Sequence, residues 1–284
     1  MANDEQEPSK NQPQDSQHEV AQAHVLTRRD ALSAGASLAI GVAAVSMSGP
    51  LLTPAARAEE NNLSVAILVF DGITQLDATA PLEVFAKAGL STFTVAPENR
   101  LITAGSGLKI MPDYDYASAP HADILCVPGG GGVNPLLTDE ATLAYIRGAA
   151  GEASYVTSVC TGALLLGAAG LLKGKRATTH WASHQFLEPF GAIPVESRVV
   201  IDGNVITGGG VTAGIDFAFA VLDKVLGRDA AALTMLALEY DPAPPFAGGS
   251  PRMAPADIVS TYTEAARSGL AKRGAQVVLA AAKL

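Results

Sequence analysis

Three largely apolar, β-branched-rich runs, Leu63–Phe70, Ala122–Pro128 and Ser154–Val159, set the strongest limit on what this chain can fold into. A strand with one wet face alternates apolar and polar residues, and these runs do not, so they read as strands buried on both faces. Such strands need helices on either side. The intervening sequence supplies them: Ala78–Gly89, with Pro81 in its first turn and Gly89 just past its end, and a stretch from about Thr138 to Ala150 with Thr138 as N-cap. Further helices are predicted at Gly162–Ala169, Thr212–Leu226 and Asp229–Tyr240, and from the end of a proline-rich arm, Asp241–Pro255, to Leu284. Ser91–Ala96 and Leu101–Met111 read as shorter strands, and Arg198–Thr207 as a hairpin turning at Asp-Gly-Asn. Strands alternating with helices predict an α/β fold, a doubly wound and mostly parallel sheet in a single domain. Ligands in such sheets sit beyond the carboxyl ends of the strands. Leu76-Asp77, Gly129–Gly132 and Cys160 all fall there.

Residues 1–58 stand apart from this pattern. Residues 1–26 are polar and read as disordered. Arg28-Arg29, a mild Ala/Gly/Ser/Val-rich run from Ala31 to Leu52 and an Ala56-Arg57-Ala58 site follow. Together they resemble a twin-arginine export signal, although Ala31 stands where such signals usually carry a bulky apolar residue. The alternative is a lone membrane anchor, for which the run is barely long enough and poor in Leu. The expectation is therefore a cleaved leader over 1–58, a mature domain over 59–284 with no stable membrane insertion, and a periplasmic or secreted location.

Six acidic and four basic side chains lie in 1–58, so the rest of the chain carries −7 of the total charge of −9. No basic stripe or block appears, which argues against a nucleic-acid partner. The two cysteines, Cys126 and Cys160, are too few for a disulfide scaffold. An oxidising compartment would permit one bond between them, but a protein folded before export with Cys126 in a buried strand is expected to keep both thiols free.

Val159-Cys160-Thr161-Gly162 fits a nucleophile elbow: a short strand, a tight turn, then a helix that Gly162 lets pack close. Free N–H groups at the start of that helix would stabilise a thiolate and lower the thiol pKa. A buried inert cysteine is the competing reading. A thiolate needs a proton carrier. Asp77, in the apolar setting Gln75-Leu76-Asp77-Ala78, is the first candidate, its pKa raised by desolvation; it could instead cap the following helix, and Glu83 could serve in its place. Gly129–Gly132 could present backbone N–H groups as an anion hole, or be only a turn. It lacks the Lys-Ser/Thr of a phosphate loop. His180 and His184, four apart, would suit a metal on a helix. The Glu that a metalloprotease sets beside the first His is absent, so no metal is expected, and His180 and Trp181 are assigned to the pocket wall.

Taken together, Thr74–Pro81, Cys126–Gly130, Tyr155–Gly162, Gly170–Trp181 and Gly208–Asp216 resemble the PfpI superfamily, and within it the isocyanide hydratase branch, from about Ser64 to Pro255. The resemblance implies a flavodoxin-like fold and a Cys160 nucleophile. Proteases and glyoxalases of the superfamily carry His after the cysteine, where this chain has Thr161, and Glu where it has Asp77. The branch implies that Cys160 attacks an isocyanide to give a thioimidate, with Asp77 moving protons, and that water then releases an N-substituted formamide. Thr161 would position Asp77, and Gly130, Gly131 and Gly209-Gly210-Val211 would wall the sulfur. No metal or organic cofactor is implied; a homodimer is, with the proline-rich arm reaching the partner. Three alternatives stay open: a redox-sensing or protective member, a hydrolase of amides or small aldehydes, and a transcription regulator. The last is disfavoured by the short sequence after the arm and by the export signal.

Overall fold

The computed structural model describes residues 63–284; the expected export leader and its cleavage site lie outside the described residues. The strands are β1 (Ser64–Leu68), β2 (Ser91–Ala96), β3 (Ile102–Thr103), β4 (Lys109–Ile110), β5 (Tyr114–Asp115), β6 (Ile124–Val127), β7 (Tyr155–Val159), β8 (Arg176–Ala177), β9 (Ile193–Pro194), β10 (Val199–Asp202) and β11 (Val205–Gly208). Seven of them form one sheet in the order β10-β11-β7-β6-β1-β2-β5, parallel throughout except for the β10–β11 hairpin. β6 is buried along its whole length and β7 at all but its first residue, as the continuous apolar runs require. The doubly wound α/β fold is as expected from the sequence.

The helices are α1 (Gln75–Lys87), α2 (Val133–Leu136), α3 (Glu140–Glu152), α4 (Gly162–Ala168), α5 (Ala213–Leu226), α6 (Arg228–Ala237) and α7 (Ala256–Ala281). α4 is buried on every side, which explains why it is built only of Gly, Ala and Leu. Among the described residues no helix is long and apolar enough to cross a membrane.

Three sequence expectations need correction. α1 starts at Gln75 rather than Ala78, so Pro81 lies inside the helix and has no N–H to return to the Asp77 carbonyl. Asp139, not Thr138, caps α3, its carboxylate accepting from Thr142 N–H at 2.9 Å, while Thr138 reaches Gln276 of α7 instead. Leu101–Met111 is not one strand. It folds back on itself as β3 and β4 around Gly107, whose φ of 90° turns the chain.

The chain runs from β1 outward to β2 and then crosses to β6, β7 and β11 on the other side, which leaves a crevice at the strand ends between β1 and β6. The carboxyl ends of β1, β6, β7 and β11 open there in register, with Val127 level with Ser158 and Gly208 level with Val159.

Candidate active site

Cys160 follows β7 with φ at 56°, a left-handed conformation that a residue with a Cβ adopts only when its surroundings enforce it. Three hydrogen bonds do so. Its N–H donates to the carbonyls of Gly208 and Gly209 at 3.0 and 2.8 Å, and its carbonyl accepts from Thr179 Oγ1 at 2.7 Å. α4 begins two residues later. Its first residue must be glycine, since a Cβ on Gly162 would stand 1.9 Å from the Val127 carbonyl oxygen.

Asp77 approaches from α1 with no exposed surface at all. It lies in the first turn of the helix and does not cap it; the cap position is Thr74. Oδ2 accepts the Gly129 N–H at 3.1 Å, and Oδ1 is buried without a hydrogen-bond partner. Carboxyl and thiol face one another closely enough for each to shift the other's protonation. Burial pushes Asp77 up to about 7, against the opposing pull of Cys160 and of the Gly129 N–H. Glu83, the other candidate base, points to solvent.

The thiol departs from its sequence expectation. Burial first, then the charge of Asp77, push Cys160 up to about 12, and the N–H groups of Thr161 and Val211 only partly oppose this. Above about pH 7 the pair therefore holds one proton and one negative charge, the proton resting on sulfur.

The glycine run braces the pair instead of forming an anion hole. Gly129 N–H is committed to Asp77, and Gly130 N–H to Thr161 Oγ1 at 3.0 Å. Gly129, which the sequence reading did not single out, is the glycine packed against both partners: a Cβ there would lie 2.5 Å from Thr161 N, 2.7 Å from its Oγ1 and 3.0 Å from Asp77 Oδ2. Gly131 is exposed with nothing near its Cβ direction, and it is not among the residues that line the cavity. Thr161 thus steadies the loop that steadies Asp77.

A cavity of about 440 Å³ adjoins the elbow, lined by His180, Trp181, Gly210, Val211 and the arm residues Gly249–Arg252. Four expected substrate-binding residues therefore meet on one wall. Gly210 is held against the His180 ring, where a Cβ would come within 2.7 Å of Cδ2. The arm folds back onto its own chain here. His180 and His184 do not share an α-helical face: His180 caps a 3₁₀ turn over Trp181–Phe186, and His184 Nε2 lies 3.1 Å from both Thr178 Oγ1 and the Thr179 carbonyl. Cys126 and Cys160 are both free and buried. The sequence reading also missed Tyr262 and Arg273 of α7. Tyr262 packs on Trp181, ring centroids 5.1 Å apart.

A parallel α/β sheet with a cysteine on a strained strand-to-helix turn, facing a buried carboxyl group, defines a cysteine-elbow protein. The match to the DJ-1/PfpI family covers residues 63–224, and the chain belongs to that family. It is 49% identical over 223 residues to the isonitrile hydratase of Pseudomonas putida, covering 78% of this chain and 98% of that protein. The crystal structure of a ThiJ/PfpI family protein from Pseudomonas syringae superposes with a TM-score of 0.74 at 39% identity, covering 76% of this chain and 90% of that one. The HTH-type transcriptional regulator GbdR of Pseudomonas aeruginosa is 28% identical over 61% of this chain, which spans 49% of that protein.

Proposed function

We propose that this protein adds water to isocyanides, with Cys160 as nucleophile and Asp77 as proton carrier. The observation that carries the reading is the fully buried Asp77 carboxyl, raised to about 7, set against a thiol on a strained elbow. A general acid–base works best with a pKa near the operating pH. Similarity to an isonitrile hydratase over nearly that protein's full length supports the substrate class.

The terminal carbon of an isocyanide accepts both a nucleophile and a proton, and the one-proton pair delivers both. As sulfur attacks, its proton passes to Asp77 and from there to the same carbon. S–C and C–H bonds form, the S–H bond breaks, and a thioimidate results with Asp77 again ionised. Asp77 then takes a proton from water as the hydroxyl adds to that carbon, and returns it to the imine nitrogen. Collapse of the tetrahedral carbon breaks C–S, expels the N-substituted formamide and restores the shared proton to the pair. Thr161, through Gly130, holds the loop that fixes Asp77, and Gly210, Val211, His180 and Trp181 receive the nitrogen substituent. These steps need no metal or organic cofactor. A redox-sensing role fits less well, because an oxidation sensor relies on a ready thiolate and burial opposes one here.

Incubation of the purified protein with p-nitrophenyl isocyanide is expected to yield the formamide; no turnover overturns the reading. Cleavage of residues 1–58 on twin-arginine export belongs to the same proposal, and an exported protein beginning near residue 59 is its check. So does assembly as a homodimer, which sedimentation reports.

A further inference from the structure

We propose that Tyr262, carried to the cavity wall by the C-terminal helix α7, is a positioning residue that sets Trp181 to receive a flat aromatic ring as the nitrogen substituent. The inference rests on the proposed function for the reacting isocyanide group; the preference for an aromatic ring goes beyond it.

Three rings pack against one another at the cavity. Centroids lie 5.8 Å apart for His180 and Trp181, 6.2 Å for His180 and Tyr262, and 5.1 Å for Trp181 and Tyr262, with planes tilted by 31°, 30° and 44°. Each pair falls within the range of favourable aromatic contact. His180 and Trp181 line the cavity, whereas Tyr262 backs them from outside the lining. It belongs to α7, beyond the residues matched by the family.

α7 also grips the turn that carries Trp181. Arg273 Nη1 donates to Ser183 Oγ at 2.8 Å, and a Cβ on Gly274 would stand 3.3 Å from Phe186 Cε1. Ser183 and Phe186 share the 3₁₀ turn Trp181–Phe186. Such turns are weakly held by their own hydrogen bonds, so packing against α7 orients the indole. His180 is fixed separately, its Nδ1 accepting the Ala182 N–H at 3.3 Å and its ring abutting Gly210.

The charged residues that line the cavity are already matched. Arg198 pairs with Asp216, and Arg252 with Glu196 at 4.0 Å. Burial pushes His180 and His184 below the ordinary imidazole range, which leaves both neutral at pH 7 and above. An ionised substituent therefore meets no free counter-charge on this lining. Trp181 instead keeps 37% of its surface open, and a neutral ring can cover it. Aromatic pairs attract beyond what buried area alone gives, which separates an aromatic from a saturated ring of the same size.

Trp181 is the single tryptophan of the chain, so its fluorescence reports the wall itself. The test is its titration with formanilide and with N-cyclohexylformamide, the products expected from phenyl and cyclohexyl isocyanide; no turnover is needed. The saturated ring is the more apolar, so burial of area alone would favour it. Formanilide is expected to bind the wild type about two- to tenfold more tightly. Tyr262 is 45% exposed, so its replacement leaves the core intact. Tyr262→Ala and Tyr262→Leu should bring the ratio to about one, and Tyr262→Phe should restore it. A purely structural role would weaken both formamides together and keep the ratio. Equal binding of the two by the wild type, no saturable change with either, or an unchanged ratio in the Ala and Leu variants overturns the proposal. Aromatic preference without isocyanide turnover would count against the proposed function alone, and turnover without aromatic preference against this inference alone.

Discussion

Cys126 and Cys160 lie on and just beyond neighbouring strands, both free, both buried, both pushed up to about 12 by the loss of water. Burial and acidity therefore do not distinguish them. Cys126 sits in mid-strand, paired in register with Thr157 and without exposed surface. Cys160 sits past the end of β7 in a left-handed turn, receives N–H groups from Thr161 and Val211, faces Asp77 and donates its own N–H to Gly209, which lines the cavity. The comparison teaches that a nucleophile here is made by backbone placement and a partner acid. A low thiol pKa is not what the elbow provides.

The largest expected effect tests that contrast directly. Cys160→Ala is expected to reduce isocyanide turnover to background, a loss of more than about 10⁴-fold. Cys126→Ala should keep activity within about threefold and cost about 1 kcal/mol of stability for the lost packing. Equal losses in both variants would break the distinction.

Asp77 separates activity from stability. Asp77→Asn is expected to lower kcat by about 10²–10⁴-fold. Because folding raises this carboxyl from 3.8 to about 7, its contribution to stability is present below pH 3.8 and is lost as pH rises through about 7, by at most about 4 kcal/mol. The Asn variant should therefore melt several degrees above wild type at pH 8 and lose that advantage near pH 4. Equal melting at pH 8 would contradict a buried, raised carboxyl.

Smaller effects map the brace. Gly129→Ala forces a Cβ onto Thr161 and is expected to cost about 10²-fold in kcat, whereas Gly131→Ala should be silent. Thr161→Val leaves the Gly130 N–H without its acceptor, at about 1–3 kcal/mol of stability, with about a tenfold loss of rate. Thr161→Ser should restore most of it.

Much of this architecture was legible in the chain because two-sided burial writes itself as continuous apolar runs, and because a strand-to-helix elbow needs a glycine where Gly162 stands. The two-residue strands β3 and β4 were not, since a turn at Gly107 and not apolar patterning creates them. Thr138 and Asp139 are adjacent and both suit a cap, so only the turn geometry chooses between them. Four identical glycines hide which of them approaches which neighbour; that Gly129 is the one against the site is found only when Asp77 and Thr161 are placed beside it. The thiol expectation failed because it weighed the N–H groups at the start of α4 and omitted the desolvation that outweighs them. Tyr262 and Arg273 carry no local signal, because long-range packing of α7 alone brings them to the site.

The most direct test of the central claim is the mass of the two cysteine peptides after rapid acid quench of the wild-type protein, and of Asp77→Asn beside it, during exposure to an aryl isocyanide. Every turnover passes through the thioimidate on sulfur, so the account predicts one added isocyanide on the Cys160 peptide of the wild type and none on the Cys126 peptide, with no adduct in Asp77→Asn, which cannot accept the thiol proton. An adduct on Cys126, or formamide production with Cys160 unmodified at every time point, would contradict it.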